Sequence, residues 1–498
     1  MPLFRRFIVN ISWNVLGKVC TQIAFFAVSV LLARYLGKER LGIYATVLVI
    51  PAFVRLLSSL GLETVLNKNF PKLEVLDPTH GQGRYLLQRL LALRALATVV
   101  FGFLLYALLP FYFELIHMPE LIVYRPAIIF YFIVINFNSL LSTLFMTLLR
   151  YKVTSILETA NGILNLVLLV VFIELDWGIA AVLYAYIFST ALIVGVYCVL
   201  AAPYAAGPTQ IMEKDDSWRL ARVSYVVGLF SFGLMIQSDI VLMNYFEVDT
   251  ARVGYYHLAM GLGGMLGFFL TGIGPMAMSI FSETFTQESH AGLSRAWSQI
   301  VGFTVFCTVP IYLFALINAE RLITFIYGDS FVEAGRVLSA YLIFVLLGTV
   351  MGSGFSASTL YVLGRRDVPL RATIEGSILN IALNLVLIPR YQELGAVIAT
   401  GSIMVYMACR QLYCINKYLD IRAMPPLVGK YLVFALAALA PAELIARLWM
   451  DNLFLNLAVY IITFLGLLVW IKPVSRDQSK LVMDVFPFLE PGLKYFVR

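Results

Sequence analysis

The sequence NGILNLVLLVVFIELDWGIAAV, residues 161–182, joins the end of one apolar run to the start of the next through a short polar loop. The sequence NIALNLVLIPRYQELGAVIATG, residues 380–401, repeats this pattern. Each opens with Asn-x-x-x-Asn and reaches, after its loop, a glycine followed by small residues. Because about 20 apolar residues span the hydrocarbon core of a bilayer, both stretches predict a pair of membrane-crossing segments.

Composition extends this interpretation to the whole chain. Of the 498 residues, 61% are apolar and 13% are charged, whereas soluble domains average about 45–50% and about 25%. Only helices and closed barrels satisfy every backbone group in lipid, and the alternating strands of a barrel are missing. We therefore predict an all-α integral membrane protein. The predicted spans lie roughly at 10–33, 41–66, 85–110, 121–149, 153–173, 177–200, 220–244, 253–281, 295–317, 334–363, 368–388, 393–417, 427–447 and 452–471.

The distribution of lysine and arginine predicts the orientation. With both termini in the cytoplasm, about 25 of the 36 basic residues, Arg94 among them, fall on the cytoplasmic side, as the positive-inside rule requires. An even number of spans explains this bias, and we predict about fourteen. The basic residues form neither a stripe nor a tail, which argues against nucleic acid as a partner.

Three matches at nearly one offset indicate an internal repeat. The Asn-x-x-x-Asn stretches are about 217–219 residues apart, LGIY and VGYY are 212 apart, and a pair of basic residues recurs at about 215. Six spans per repeat give parallel repeats, related by an axis along the membrane normal. We therefore predict a six-helix lobe over 1–200, a cytoplasmic linker over 201–219, a second six-helix lobe over 220–420, and two extra helices with a cytoplasmic tail over 421–498.

Two cations inside predicted spans are candidates for substrate binding. Lys18 shares a polar face of the first helix with Asn14 and Gln22, because residues four apart lie on one side of a helix. Arg55 lies near the middle of the second helix. An ionisable group inside a bilayer usually faces a cavity or a partner. The alternative is that Lys18 extends to the membrane surface and that Arg55 pairs with a carboxylate such as Glu63.

Two acidic residues inside predicted spans are candidates for ion coupling. Asp239 in the seventh helix is a carboxylate that a proton or a sodium ion could neutralise, as coupled carriers require. The alternative is a structural cap or a partner for Arg252. Glu375 in the eleventh helix could gate or titrate, although an ion pair with Arg371, one turn earlier, is favoured.

Three stretches carry a resemblance to a known family. They are LARYLGKERLGIYA (Leu32–Ala45), SDIVLMNYFEVDTARVGYYHLA (Ser238–Ala259) and NLVLIPRYQELGAVIAT (Asn384–Thr400). They resemble the multidrug/oligosaccharidyl-lipid/polysaccharide (MOP) exporter superfamily and, within it, the Wzx-type flippases of polysaccharide biosynthesis. One position departs from the family pattern, because Gln392 stands where a glycine is common after the tyrosine.

The resemblance implies two six-helix lobes around a central cavity that opens alternately to either side. It implies a polyprenyl-pyrophosphate-linked oligosaccharide as the substrate, namely a repeat unit of O-antigen, capsule or exopolysaccharide. This substrate would be carried from the cytoplasmic to the outer leaflet of a bacterial inner membrane, with glycosyltransferases and a glycan polymerase as neighbours. A multidrug/toxin ion antiporter and a lipid II flippase remain alternatives.

Motifs of enzymes and of ATP-driven pumps are missing from the sequence. There is no Gly-x-x-x-x-Gly-Lys-Ser/Thr, no His-Glu-x-x-His and no Gly-x-Ser-x-Gly. The five cysteines and four histidines show no metal-ligand spacing. We therefore expect a transporter rather than an enzyme, without cofactor or metal, driven by an ion gradient, the membrane potential or removal of product.

Overall fold

The computed structural model of the chain describes residues 2–77, 80–148, 150–211, 217–230, 237–422, 424–448 and 452–471. Side chains are described in these ranges except at residues 2–16, 72, 74–76, 217–220, 223, 268–276, 279, 446–448, 468 and 471.

The described chain is all α-helical and contains no strand. Nine of its helical segments are long and apolar enough to cross a membrane, which confirms the predicted all-α membrane class. The α-helices among the described residues are α1 (Pro2–Ser59), α2 (Leu62–Leu76), α3 (Gly81–Leu115), α4 (Arg125–Thr147), α5 (Tyr151–Glu174), α6 (Ile179–Ala205), α7 (Ser217–Gly228), α8 (Ser238–Tyr245), α9 (Thr250–Leu266), α10 (Phe268–Ile317), α11 (Ala319–Tyr327), α12 (Val332–Val350), α13 (Ser353–Val362), α14 (Asp367–Ile415), α15 (Met424–Leu448) and α16 (Leu453–Ile471).

Three of these helices are too long to be single spans. Helices α1, α10 and α14 have 58, 50 and 49 residues, and at about 1.5 Å per residue each exceeds twice the hydrocarbon thickness. Each contains one residue with positive φ: Gly37 (71°), Ser289 (57°) and Gln392 (54°). Each long helix is therefore two spans joined by a tight turn. This division is consistent with fourteen spans, and the number itself stays a prediction.

One compact unit comprises residues 1–257 and 377–396. Its core includes Phe70, Phe145 and Tyr197, which are almost completely buried. Helices α1 and α5 pack closely in this unit because a glycine faces the partner helix on each of them, Gly17 on α1 and Gly162 on α5. Such small residues let helix backbones approach each other in membranes.

The other compact unit comprises residues 258–376 and 397–498. Its core is built around Trp297 and Tyr431. Helix α16 packs into this core, since Tyr460 donates its hydroxyl hydrogen to the carbonyl oxygen of Pro310 at 2.9 Å and its ring lies 5.2 Å from that of Phe314. The predicted lobes 1–200 and 220–420 were defined by repetition and not by packing, and their limits stay a prediction.

Two glycines of the predicted repeat contact the opposite copy of the repeat reciprocally within the first unit. A Cβ on Gly42 would meet the carbonyl oxygen of Thr250, and a Cβ on Gly254 would meet the carbonyl oxygen of Lys38. Gly254 follows Gly42 by 212 residues, and Thr250 follows Lys38 by the same number. A contact that recurs with its partners exchanged is what a two-fold relation produces. This geometry supports the repeat.

Candidate functional site

Arg55 lies in the second span of α1 and is partly buried among helices of its own unit. Its Nη1 donates to Oγ of Ser139 on α4 at 3.4 Å, and its charge interacts with Tyr131 on the same helix. The Tyr131 ring packs edge-on against Tyr186, with 6.1 Å between the ring centroids, and Tyr186 is hydrogen-bonded to Tyr44. Arg55 therefore contacts polar and aromatic groups of α4, and Tyr131 connects them to Tyr186 of α6 and Tyr44 of α1.

Glu63 does not pair with Arg55, which is the partner that the alternative interpretation gave it. Its Oε1 lies 2.5 Å from Nη2 of Arg94 and accepts a hydrogen bond from Ser139 Oγ at 2.9 Å. The Ser139 hydroxyl thus lies between Glu63 and Arg55 and bonds to both.

Arg94, which the sequence analysis counted among the basic residues of the cytoplasmic side, is buried inside the protein. It lies 13 residues into α3, and its side chain is 0% exposed. Besides Glu63 it binds Asn136, whose Oδ1 accepts from Nη1 at 2.6 Å. Asn136 also accepts from Ser58 and donates to Thr98. A buried guanidinium requires such a paired and hydrogen-bonded environment, and the sequence pattern alone did not reveal it.

An apolar groove runs along the same two turns of α1 that carry Arg55. Its volume is about 430 Å³. Phe53, Val54 and Leu57 form one wall, and Leu104 and Leu108 of α3 form another. Both leucines are exposed, so the groove is open at the protein surface.

Lys18 is half-buried on the first span of α1. Its charge interacts with Glu158 of α5. Gln22, one turn later, is also half-buried, and the side chain of Asn14, one turn earlier, lies outside the described residues. The polar face that these three residues were predicted to form is therefore described at Lys18 and Gln22.

Asp239 is 0% exposed near the start of α8, and donors from three residues reach its carboxylate. Asn384 Nδ2 donates to Oδ1 at 2.7 Å and Asn380 Nδ2 at 3.3 Å. The Tyr256 hydroxyl donates to Oδ2 at 2.5 Å. The alternative partner Arg252 instead binds Glu393 at 3.0 Å. Sequence reasoning noticed the two asparagines only as a repeat, because nothing in their spacing shows which acid they face.

The Oδ1 atom of Asn384 is buried beside this carboxylate and accepts no hydrogen bond from the described residues. A carboxylate with a buried, unsatisfied amide oxygen next to it offers the hard oxygen ligands that small cations prefer. No cluster of three or more histidine, cysteine, aspartate or glutamate residues suited to a metal ion occurs in the described part of the chain. The carboxylate of Asp239 and the amide oxygen of Asn384 are therefore the oxygen ligands that this buried position offers.

Glu375 forms an ion pair with Arg410 in the second unit, and not with Arg371 as predicted. The Tyr406 hydroxyl donates to the same carboxylate oxygen at 2.9 Å. Arg410 and Tyr406 lie on the second span of α14, whereas Arg371 lies on the same span as Glu375. The helix spacing correctly required a basic partner for Glu375, but tertiary packing decided which one.

Known families and structures resemble this helical membrane protein with buried charges. A family model described as "Polysaccharide biosynthesis protein" matches residues 31–336, more than half of the chain. The chain belongs to the polysaccharide biosynthesis protein family. The match confirms the predicted family.

Solved structures of similar fold are transporters of the MOP superfamily. The lipid II flippase MurJ, in an inward closed conformation, matches with a TM-score of 0.65 and 14% identity, covering 92% of this chain and 97% of that one. An inward-facing multidrug resistance MATE family transporter matches with a TM-score of 0.65 and 13% identity, covering 82% and 99%. At these identities the likeness shows the fold, and it confirms the predicted superfamily architecture.

A curated relative is similar over a shorter range. An uncharacterized membrane protein of Methanocaldococcus jannaschii is 21% identical over 253 residues, which cover 49% of this chain and 49% of the relative. The chain therefore spans about half the length of the curated relative that it matches.

Proposed function

We propose that this membrane transporter flips a polyprenyl-pyrophosphate-linked oligosaccharide from the cytoplasmic to the outer leaflet by alternating access. The observation that carries the proposal is the position of Arg55, a partly buried cation inside a candidate membrane span, on the same turns of α1 as the apolar groove. The substrate has the matching parts, a pyrophosphate and an isoprenoid chain. Because the chain belongs to a polysaccharide biosynthesis family, the proposed third part of the substrate is a glycan.

Arg55 is the proposed ligand of the pyrophosphate. A guanidinium presents a planar fork of donors that fits phosphate oxygens in pairs. The neighbouring Ser139 hydroxyl and the rings of Tyr131 and Tyr186 supply further polar and aromatic contacts for the headgroup. Lys18 is the proposed second cation, with Gln22 and Asn14 extending its polar face.

The groove on α1 is the proposed seat of the isoprenoid segment next to the pyrophosphate. Its volume of about 430 Å³ lies within the usual range of ligand pockets, about 300–1,000 Å³. Its opening at Leu104 and Leu108 lets the rest of a long chain remain in the bilayer. A soluble cationic drug has no long apolar chain that would extend through such an opening.

Asp239 is the proposed site of ion coupling. Neutralisation of its carboxylate by a proton or a sodium ion would change its hydrogen bonds to Asn380, Asn384 and Tyr256. Together with Asp239, these residues lie on three helices, so the occupancy of the site can bias how α8, α9 and α14 pack. Glu375 is a weaker candidate, since Arg410 already balances its charge.

The cellular setting is part of the same proposal. A bacterial inner membrane, cytoplasmic termini, and a neighbouring polymerase and glycosyltransferases fit a carrier of lipid-linked glycans. A lipid II flippase is the second candidate function, because the fold of MurJ covers 92% of this chain whereas that of the MATE transporter covers 82%. Lipid II shares the isoprenoid pyrophosphate, so the two candidates differ in the glycan.

The test is transbilayer movement in proteoliposomes. A fluorescent polyprenyl-pyrophosphate oligosaccharide and lipid II are each loaded into vesicles that contain the wild type, Arg55→Ala or Lys18→Ala. Protein-dependent movement of the oligosaccharide lipid, lost in Arg55→Ala, is the expected result. A preference for lipid II would favour the second candidate. Export of a cationic dye without movement of either lipid would contradict the proposal and indicate a drug antiporter.

A further inference from the structure

Arg94 is a buried charge that the proposed mechanism does not use. It lies about 20 Å along α3 from Gly81, at the usual rise of a helix, and water does not reach its side chain. Its Nη1 and Nη2 atoms bind Asn136 and Glu63, while its Nε has no partner among the described residues. A charge held this deeply is costly, and its position next to the proposed phosphate ligand suggests a role.

A single hydroxyl oxygen connects this ion pair to Arg55. Ser139 Oγ donates to Glu63 Oε1 at 2.9 Å and accepts from Arg55 Nη1 at 3.4 Å. One hydroxyl oxygen therefore separates the Glu63 carboxylate from the Arg55 guanidinium, and Glu63 is the acidic group that would move towards Arg55 if Arg94 did not hold it. A carboxylate binds a guanidinium through the same pair of donors as a phosphate, so Glu63 is a potential internal competitor of the substrate.

We propose that Arg94 is a positioning residue that holds Glu63 away from Arg55, so that the Glu63 carboxylate does not compete with the substrate pyrophosphate for the Arg55 guanidinium. This inference rests on the proposed function of Arg55. The bond from Asn136 fixes the Arg94 guanidinium, and Asn136 is itself fixed by Ser58 and Thr98. Arg94 thus presents a rigid, fully buried partner, and Glu63 bonds to it directly.

If Glu63 competes with the pyrophosphate, a second substitution should reverse the loss of binding in one variant but not in another. Arg94→Gln releases Glu63, whose buried charge then pairs with Arg55 and excludes the pyrophosphate. Glu63→Gln removes the competitor, so it should restore binding to Arg94→Gln. It should not restore binding to Arg55→Gln, because there the ligand itself is missing. Arg94→Lys keeps a positive charge beside Glu63 and should retain most of the binding.

The experiment measures binding of farnesyl pyrophosphate to the purified full-length protein in nanodiscs, with farnesol as the uncharged control probe. The variants are Arg55→Gln, Arg94→Gln, Arg94→Lys, Glu63→Gln and the two doubles that combine Glu63→Gln with each arginine change. The matched control is Arg321→Gln, since Arg321 pairs with Glu443 at 3.1 Å in the other unit. A thermal unfolding curve for every variant shows which of them are folded.

We expect Arg94→Gln to weaken farnesyl pyrophosphate binding by about tenfold or more, and Arg94→Gln with Glu63→Gln to bind within about threefold of the wild type. Arg321→Gln should leave binding unchanged. If only folding were at stake, affinity would follow the unfolding temperature and Arg94→Lys would offer no rescue. Should Arg94→Gln itself fail to fold, the double variant and Arg94→Lys still decide the matter.

The outcomes separate this inference from the proposed function. If Arg55→Gln weakens binding but folded Arg94→Gln binds like the wild type, or if Glu63→Gln fails to suppress it, the role of Arg94 is overturned and Arg55 remains the phosphate ligand. If Arg55→Gln binds as tightly as the wild type, the phosphate site itself is wrong and the role of Arg94 falls with it.

Discussion

The helix that carries Asn161 and Asn165 and the helix that carries Asn380 and Asn384 are built on one sequence pattern, yet their asparagines lie in different surroundings. Asn380 and Asn384 both donate to the buried carboxylate of Asp239. On α5, the Oδ1 atoms of Asn161 and Asn165 are buried and accept no hydrogen bond from the described residues. The position 212 residues before Asp239 is Ala27, so the first repeat lacks the acid at that offset.

This difference shows how a repeated scaffold can acquire two uses. The asparagine pair occurs in both halves, and in the second half it donates to an acid, which is the site that we propose for ion coupling. In the first half, α5 packs against the span of α1 that carries Lys18, and the charges nearby are the cations proposed to hold the substrate. The two halves would then divide coupling and substrate binding between them.

The turns that follow the two helices differ as well. Gly178 has φ 59° and ψ −134°, and Gln392 has φ 54° and ψ −126°. The two turns thus share a backbone conformation that suits glycine, and the second places a glutamine in it. This is the position where the sequence departs from the family, and the structure shows that the departure strains the backbone without changing the turn.

The two helices with asparagine pairs are predicted to belong to two copies of one repeat. Gly42→Ala tests this prediction, and its expected effect on stability is the largest. The added methyl meets the carbonyl oxygen of Thr250, and a backbone atom cannot rotate away. We expect a loss of about 3 kcal/mol in the free energy of unfolding, the upper end of overpacking costs. Gly254→Ala, which meets Lys38, should cause a similar loss.

The control for both glycine changes is Gly195→Ala, because no atom lies within 4 Å of a Cβ built there. Denaturant unfolding in matched micelles measures all three variants. Equal stability of Gly42→Ala and Gly195→Ala would show that the reciprocal contact does not hold the two copies together.

Leucine substitutions at two equivalent asparagines should change the free energy of unfolding in opposite directions. Asn384→Leu removes a hydrogen bond to a charged group and should cost about 2 kcal/mol of unfolding free energy. Asn165→Leu removes a buried oxygen without a partner and should gain about 1 kcal/mol. Unfolding curves of the two single variants check both values. Destabilisation of both by the same amount would mean that the first pair also holds a ligand or a partner.

Substitutions in the two turns, at Gln392 and Gly178, should have the smallest effect on stability. Gln392→Gly relieves a positive φ and should stabilise the protein by about 1 kcal/mol. Gly178→Gln should destabilise it by a similar amount, and sterically there is room, since nothing lies within 4 Å of a Cβ at that position. The difference in melting temperature between each variant and the wild type checks the pair. Loss of stability in Gln392→Gly would indicate that the glutamine side chain contributes more than its backbone strain costs.

Much of the fold could be predicted from the sequence, because membrane helices follow from local composition. The breaks near Gly37 and Gln392 fall between predicted spans, and the VGYY match contains Gly254, whose contact with Lys38 mirrors that of Gly42 with Thr250. The partners of buried charges could not be predicted in this way. Glu375 was assigned to Arg371 by helix spacing but binds Arg410, because the choice depends on how two spans pack.

The candidate site likewise contains residues that the sequence revealed and one that it did not. Arg55 and Asp239 stand out in a sequence because a charge inside an apolar run is rare. Arg94 was missed because it lies in the first half of a long helix, where basic residues ordinarily belong to the cytoplasmic surface. The burial of Arg94 depends on how α3 packs against the helices that carry Glu63 and Asn136, which is a property of the folded protein.

The central claim, that the acid of the second repeat couples transport to an ion, is tested most directly by one measurement. Transbilayer movement of a polyprenyl-pyrophosphate oligosaccharide is followed in proteoliposomes with and without an imposed sodium or proton gradient, for the wild type and Asp239→Asn. We expect one of the gradients to change the wild-type rate by about tenfold or more and to leave Asp239→Asn unaffected. An Asp239→Asn variant that responds to that gradient like the wild type would contradict the account.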